Sequence, residues 1–323
     1  MKYRHLGKAG VKVSELSLGA WVTYGNQVGV KEAKEIMTAA YETGVNFFDN
    51  AEAYAHGEAE KIMGQALKEL GWPREQYLIS TKIFWGGKGP NDTGLSYKHI
   101  IEGVNNALKR FDLEYVDFVF AHRPDPETPI EETVWAFNQV LQQGKAFYWG
   151  TSMWSAAEIM HAVDFAHRNN LRAPSMEQPE YNMFARKRFE KEYAILYKEL
   201  GYGTTTWSPL ASGVLTGKYN QGVAPEGTRS NLPNYKWLQE RTLDPNKLEV
   251  ARKLAPIADD LGVSMAQLSL AWLLKNPNVS TVITGASRPE QVVENMKAAD
   301  MVEKLDGEVM ARIEAVLKGY QED

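Results

Sequence analysis

The chain contains no cysteine. That single absence excludes disulfides, thiolate zinc sites, iron–sulfur clusters and a cysteine nucleophile. No stretch reaches the ~18 consecutive apolar residues of a membrane-spanning helix. The opening MKYRHLGKAGVKVSEL also lacks the apolar segment of a signal peptide. These absences predict a cytoplasmic protein with no direct membrane insertion. Basic residues form no stripe, and the net charge of −5 is spread along the chain, which argues against a nucleic-acid partner. No G-x-G-x-x-G follows an expected strand, so a Rossmann cofactor site has no support. GGKG at 86–89 lacks the Walker spacing. His5, His56, His99, His122, His161 and His167 form no H-x-H or H-E-x-x-H arrangement, so no metal site is expected.

What is present is a repeat. Apolar, β-rich runs alternate with helical patterns, and eight strands are expected: Glu15–Gly19, Val45–Phe48, Tyr77–Lys82, Val116–Ala121, Ala146–Thr151, Ser175–Gln178, Thr204–Trp207 and Thr281–Thr284. Their continuous apolar character suits parallel strands covered on both faces. Between them, Thr128-Pro-Ile-Glu131, Ser155-Ala-Ala-Glu158, Ser264-Met-Ala-Gln267 and Ser287-Arg-Pro-Glu290 read as capping boxes. Gly44, Gly71, Gly144, Gly201 and Gly262 stand where helices should stop. Eight βα units at a spacing of mostly ~30 residues predict a (β/α)8 TIM barrel forming one domain over residues 1–323. An N-terminal β-hairpin precedes it. A long polar and aromatic loop, residues 208–243, follows strand seven.

In such a barrel the chemistry lies at the C-terminal ends of the strands. Those ends carry Asp49 after the second strand, Lys82 after the third and His122 after the fourth, with Tyr54 in the loop beyond Asp49. Taken singly, each has a plain reading as a turn residue, a solvated cation, amphipathic packing or a structural histidine. Their coincidence on three adjacent strand ends favours a shared site. A free Tyr has a pKa of about 10 and is a weak acid. A neighbouring ammonium favours the phenolate, which makes the hydroxyl a better proton donor. Asp49 can hold that ammonium charged, and a histidine opposite can position a carbonyl oxygen. The set suits protonation of a carbonyl while a hydride arrives at its carbon.

FFDNAEAY, ISTK and the His122 strand end resemble the Asp–Tyr–Lys–His tetrad of the aldo-keto reductases, (β/α)8 enzymes that use NADPH. LGAWVTYGNQ, STKIFWGGKGP, HRPDPETPIEETV, FYWGTSMWSAAEI, TTWSPLASGVLTGKY and VITGASRPEQVVEN resemble the branch containing the β-subunits of voltage-gated potassium channels and their plant and microbial relatives. The resemblance runs over nearly the whole chain. It implies Asp49, Tyr54, Lys82 and His122 as catalytic residues, with NADPH/NADP+ extended over the barrel rim. It places Trp21 and Gln27 in the first loop, Asp49 beside the cofactor, Ser152 and Gln178 on the carboxamide and Trp207 against the nicotinamide. Ser208, Pro209, Leu210, Ser212, Gly213, Lys218 and Arg229 would line the pyrophosphate. Gly285, Ser287, Arg288, Gln291, Glu294 and Asn295 would surround the adenosine end. There, a helix capped by Ser287 with Arg288 beside it also makes a ready phosphate site on physical grounds.

Tyr24, Trp85 and Trp154 are expected to wall a substrate pocket, together with Tyr235 and Trp237 of the long loop. Three functional readings follow: reduction of carbonyl substrates with NADPH, a channel-associated subunit using NADPH as a redox sensor, or, on fold analogy alone, a metal-dependent hydrolase. The branch implies a homotetramer and an ion-channel partner as candidate assemblies. Animal channel subunits have Asn where His122 stands and Arg where Met153 stands, with Cys in place of Ser212. His122 completes the reductase tetrad and favours the enzyme reading.

Overall fold

The computed structural model describes residues 1–225, 236–318 and 320, with the main chain alone at 236 and 237. Eight parallel strands close into a barrel: β3 (Leu16–Gly19), β4 (Phe47–Asp49), β5 (Leu78–Ile83), β6 (Val116–Ala121), β7 (Ala146–Thr151), β8 (Met176–Glu177), β9 (Gly203–Thr206) and β10 (Thr281–Thr284), which pairs back with β3. All eight lie on the expected runs. The hairpin is also there, as β1 (Tyr3–His5) paired antiparallel with β2 (Lys12–Ser14). It is held by backbone contact: a Cβ on Gly7 would come 2.3 Å from Gly203 N. Only glycine lets the two main chains approach that closely.

Helices α1 (Val30–Glu42), α2 (Glu58–Leu70), α3 (Tyr97–Phe111), α4 (Ile130–Gln142) and α5 (Ala156–Arg168) follow the first five barrel strands. Two short π-helical turns, Arg188–Glu192 and Leu196–Leu200, follow β8. The long segment after β9 contains a 3-10 turn at Ala211–Thr216, then α6 (Lys236–Thr242), α7 (Pro245–Leu261) and α8 (Met265–Leu274). After β10 come α9 (Pro289–Met296), α10 (Ala298–Met301) and the added α11 (Gly307–Leu317). Ser155 and Ser264 make the expected capping boxes.

The other two do not form. At α4 the N-cap is Pro129, and the Thr128 hydroxyl donates instead to Asp125 Oδ2 at 2.7 Å. At α9 the N-cap is Arg288 rather than Ser287, because Pro289, without an N–H, takes the first helical position. Ser287 lies one residue outside, where its N–H and hydroxyl both donate to Gln291 Oε1.

Side chains alternate along a strand, and that alternation builds the interior in layers. Phe47, Phe118, Phe120, Met176 and Ile283 form one buried apolar cluster with Leu6 and Val13 of the hairpin region. One pleat further along, toward the C-terminal ends, these rows carry Asp49, His122 and Gln178, and Lys82 joins them two residues beyond Ser80 of β5. An apolar floor thus lies under a polar ceiling. Full burial of each such floor side chain contributes about 1.5–3 kcal/mol. No single helix among the described residues is long and apolar enough to cross a membrane.

Candidate active site

Lys82 is completely buried, and its ammonium is the hub of the polar layer. Its Nζ donates to Asp49 Oδ2 at 2.7 Å, to Asn50 O at 2.7 Å and to Tyr54 OH at 3.0 Å. Asp49 ends β4 opposite Ser80 of β5. Its other oxygen accepts from Ser80 Oγ at 2.7 Å and from Gln178 Nε2 at 3.1 Å. Tyr54 is delivered by a tight turn in which Ala55 and His56 both have positive φ. Asn50 secures the start of that loop: its side chain donates to Ala59 O and accepts from the Ala51 N–H. His122 closes the group, its ring centroid 5.9 Å from that of Tyr54 and 5.0 Å from that of Trp85.

Burial sets the protonation states. It pushes the Tyr54 phenol above its ordinary value, although Lys82 pulls the other way. The expectation of a phenol acidified in the resting site is therefore corrected: Tyr54 keeps its proton. Burial also works against the charge on Lys82, but Asp49 and Tyr54 outweigh it and hold the ammonium's pKa above normal. His122 is driven well below the usual histidine value by burial and by the charges of Lys82 and Arg123. At neutral pH it is an uncharged imidazole, able to donate one hydrogen bond but not to carry a catalytic proton.

A cavity of about 960 Å³ opens above this layer, near the upper end of the roughly 300–1,000 Å³ usual for ligand sites. Asp49, Tyr54 and His122 line it, with Lys82 directly beneath Tyr54. So do Trp21, Gln27, Trp85, Ser152, Gln178, Trp207, Ser208, Pro209, Leu210, Ser212, Gly213 and Lys218. Gly285, Ser287, Arg288, Gln291, Glu294 and Asn295 line it as well.

Tyr24 and Trp154 do not belong to the wall. Both are buried in the main hydrophobic core. Tyr24 is drawn in because residues 20–28 fold back on themselves through bonds such as Tyr24 N to Ala20 O, and Trp154 lies under Tyr193, whose hydroxyl donates to Trp154 O. Arg229 and Tyr235 lie outside the described residues, as does the side chain of Trp237. The GGKG segment is no anion cradle: the amides of Gly86, Gly87 and Gly89 are spent on Asp92.

Sequence reasoning passed over several lining residues, among them Val22, Arg123, Arg241 and Thr284. Backbone strain marks the rim. Val22, Ala55, Ser208 and Ser212 all line the cavity with positive φ, a conformation that is an outlier for a β-branched residue such as Val22. Such residues cost of order 1–3 kcal/mol and persist only where the surroundings hold them. Two buried polar atoms without a protein partner among the described residues also lie here, His122 Nδ1 and Trp207 Nε1. Both belong to residues facing the cavity.

The aldo/keto reductase family model matches residues 15–318. A protein of Arabidopsis thaliana named "Probable voltage-gated potassium channel subunit beta" is 59% identical over 318 residues, covering 98% of this chain and 97% of its own. An Oryza sativa subsp. japonica protein of the same name is 57% identical with the same coverage. A Schizosaccharomyces pombe protein with a potassium channel subunit beta name is 51% identical over 321 residues, 98% of this chain and 93% of its own.

The depressed His122 pKa has a consequence for stability. Below about pH 6.5 the unfolded chain takes up a proton at this residue that the folded chain refuses. Folding stability is therefore lost at His122 as pH falls from about 6.5 toward the depressed folded value. In urea denaturation at pH 7.5 and 5.5, His122→Asn should lose less stability than the parent over that interval, by about 1 kcal/mol. An identical pH dependence in parent and variant would contradict the neutral, buried imidazole.

Proposed function

The chain belongs to the aldo/keto reductase family, and on that premise we propose that it reduces aldehydes and reactive ketones to alcohols with NADPH in the cytoplasm. The observation that carries the reading is the Lys82 ammonium touching both Asp49 and the Tyr54 hydroxyl at the floor of the cavity. NADPH, when bound, would supply the hydride for the carbonyl carbon and be oxidised to NADP+. Tyr54 gives its proton to the carbonyl oxygen, so one hydride at carbon and one proton at oxygen balance the reduction. Burial keeps Tyr54 protonated until it is needed. The phenolate that would form is then stabilised by Lys82 3.0 Å away, an interaction worth most in the transition state. Neutral His122 orients the carbonyl oxygen by a hydrogen bond.

The cavity suits an extended dinucleotide. Trp207 would face the nicotinamide, with Ser152 and Gln178 on its carboxamide and Trp21 and Gln27 nearby. The Ser152 hydroxyl donates to Gln178 O at 2.9 Å, which ties these two together. The segment from Ser208 to Gly213, with Lys218 and Arg229, would take the pyrophosphate. Gly285, Ser287, Arg288, Gln291, Glu294 and Asn295 would enclose the adenosine, with Arg288 on the 2′-phosphate.

A second reading takes its channel from the relatives' names and the rest from the family resemblance: a subunit of a voltage-gated potassium channel, as a homotetramer, in which bound NADPH reports redox state. Purified chain consuming NADPH with a panel of aromatic and aliphatic aldehydes supports the reductase. Tight NADPH binding with no turnover of any aldehyde would favour the subunit.

Within the reductase reading, Tyr54→Phe should lower kcat by ~10²–10⁴, the usual loss for a general acid, with NADPH affinity nearly unchanged. Retained turnover would remove Tyr54 from the reaction. Arg288→Ala should weaken NADPH binding about 10- to 100-fold, as expected for losing a charge-assisted phosphate contact, and hardly affect NADH. Equal losses for both cofactors would show that Arg288 does not read the 2′-phosphate.

A further inference from the structure

Four side-chain cations line the cavity among the described residues: Arg123, Lys218, Arg241 and Arg288. Arg241 is occupied, its guanidinium paired with Glu180 at 3.0 and 3.3 Å. Lys218 follows the Ala211–Thr216 turn and Arg288 caps α9, so both stand with the segments assigned above to the cofactor's phosphates. Arg123 remains. It directly follows His122 at the end of β6, the catalytic end of the cavity.

Its surroundings are unusual for an arginine. The guanidinium carbon lies 5.5 Å from the Trp85 ring centroid and 5.9 Å from that of Trp207. One nitrogen, Nη1, donates to His122 O at 2.5 Å and to Ser152 Oγ at 3.3 Å. These contacts fix the head group beside the tetrad. Nε and Nη2 have no hydrogen-bond partner among the described residues, yet neither is a buried atom. No described carboxylate lies within ion-pair distance, although the side chain is half-buried. A desolvated guanidinium normally recovers its lost hydration through a carboxylate or phosphate, and its planar fork binds a carboxylate through two parallel N–H bonds.

We propose that Arg123 receives the carboxylate of the carbonyl substrate, so that the preferred substrates are aldehydes or ketones bearing a carboxylate about one aromatic ring away from the C=O. The inference rests on the reductase reading for its substrate but not for its anion site. Trp85 and Trp207 flank the guanidinium and give a flat ring two aromatic neighbours. The Tyr54 hydroxyl and His122 hold the carbonyl oxygen at one end, and Arg123 holds the anion at the other. Arg123 thereby sets specificity and fixes the attack geometry, and it takes no part in the proton transfer.

The test compares the carboxybenzaldehydes with the matching formylbenzamides, neutral analogues of nearly the same shape, on the NADPH-loaded enzyme. The best acid should exceed its amide at least ~10-fold in kcat/KM, mainly through KM. Arg123→Met should shrink that ratio about 10- to 100-fold, the range expected for one charge-assisted pair. Arg123→Lys, which keeps the charge but not the fork, should lose less and guards against misfolding of the Met variant. Equal loss for acid and amide, or no preference in the parent, would overturn the proposal. So would a parallel loss in NADPH affinity, which would assign Arg123 to the cofactor. Benzoate alone, titrated by tryptophan fluorescence, gives a readout that needs no turnover. Benzoate binding that Arg123→Met abolishes supports the anion site even if every aldehyde is inert, in which case only the reductase reading fails. Benzoate binding indifferent to Arg123 refutes it.

Discussion

A lysine ammonium with no exposure to solvent is the constraint around which the rest of this molecule is arranged. Removing such a charge from water costs several kcal/mol even after relaxation, and it is tolerable only with good partners on every side. The three partners of Lys82 come from β4, from the first residue beyond it, and from the loop that follows. Satisfying one ammonium therefore fixes the alignment of β4 with β5 and the path of the chain to Tyr54. Asp49 in turn is held by Ser80 and Gln178, which carries the same requirement across the barrel to β8. A structural demand and a chemical one are met by the same atoms.

The consequence for chemistry is a division between resting and reacting states. With the site closed, burial dominates, so Tyr54 stays protonated and His122 stays neutral. The positive charge that would stabilise a phenolate is already in place and needs no reorganisation when the proton leaves. Beneath Asp49, His122 and Gln178 the floor is apolar because their strand rows, two residues earlier, carry Phe47, Phe120 and Met176. That floor keeps the local dielectric low and strengthens each polar contact above it. The rim adds backbone strain at Val22, Ala55, Ser208 and Ser212.

Much of this was legible in the residues. The barrel follows from eight apolar runs at a spacing of mostly ~30 residues, and Asp49, Lys82 and His122 follow from reading what stands at the strand ends. What escaped depends on distances the chain alone does not encode. Tyr24 and Trp154 looked like loop aromatics, but their loops turn inward and bury them. Thr128 and Ser287 matched a capping pattern, yet Pro129 and Pro289 within those patterns moved each helix start. Arg123 passed unnoticed beside His122, since a loop arginine usually finds water or a carboxylate. Only the arrangement of Trp85, Trp207 and Ser152 around it gives it meaning. The downward pull of Lys82 on the Tyr54 pKa could be named from the sequence, but the stronger upward pull comes from how deeply the phenol is buried.

The central claim is that the charge on Lys82 stabilises Tyr54 as it gives up its proton. Its most direct test is the rate of NADPH oxidation in a single turnover, measured by stopped flow with Lys82→Met, a variant of similar length that carries no charge. The account predicts a fall of ~10²–10⁴ in that rate, with NADPH affinity retained and the barrel still folded by circular dichroism. A rate close to that of the parent, with cofactor bound and fold intact, would contradict it.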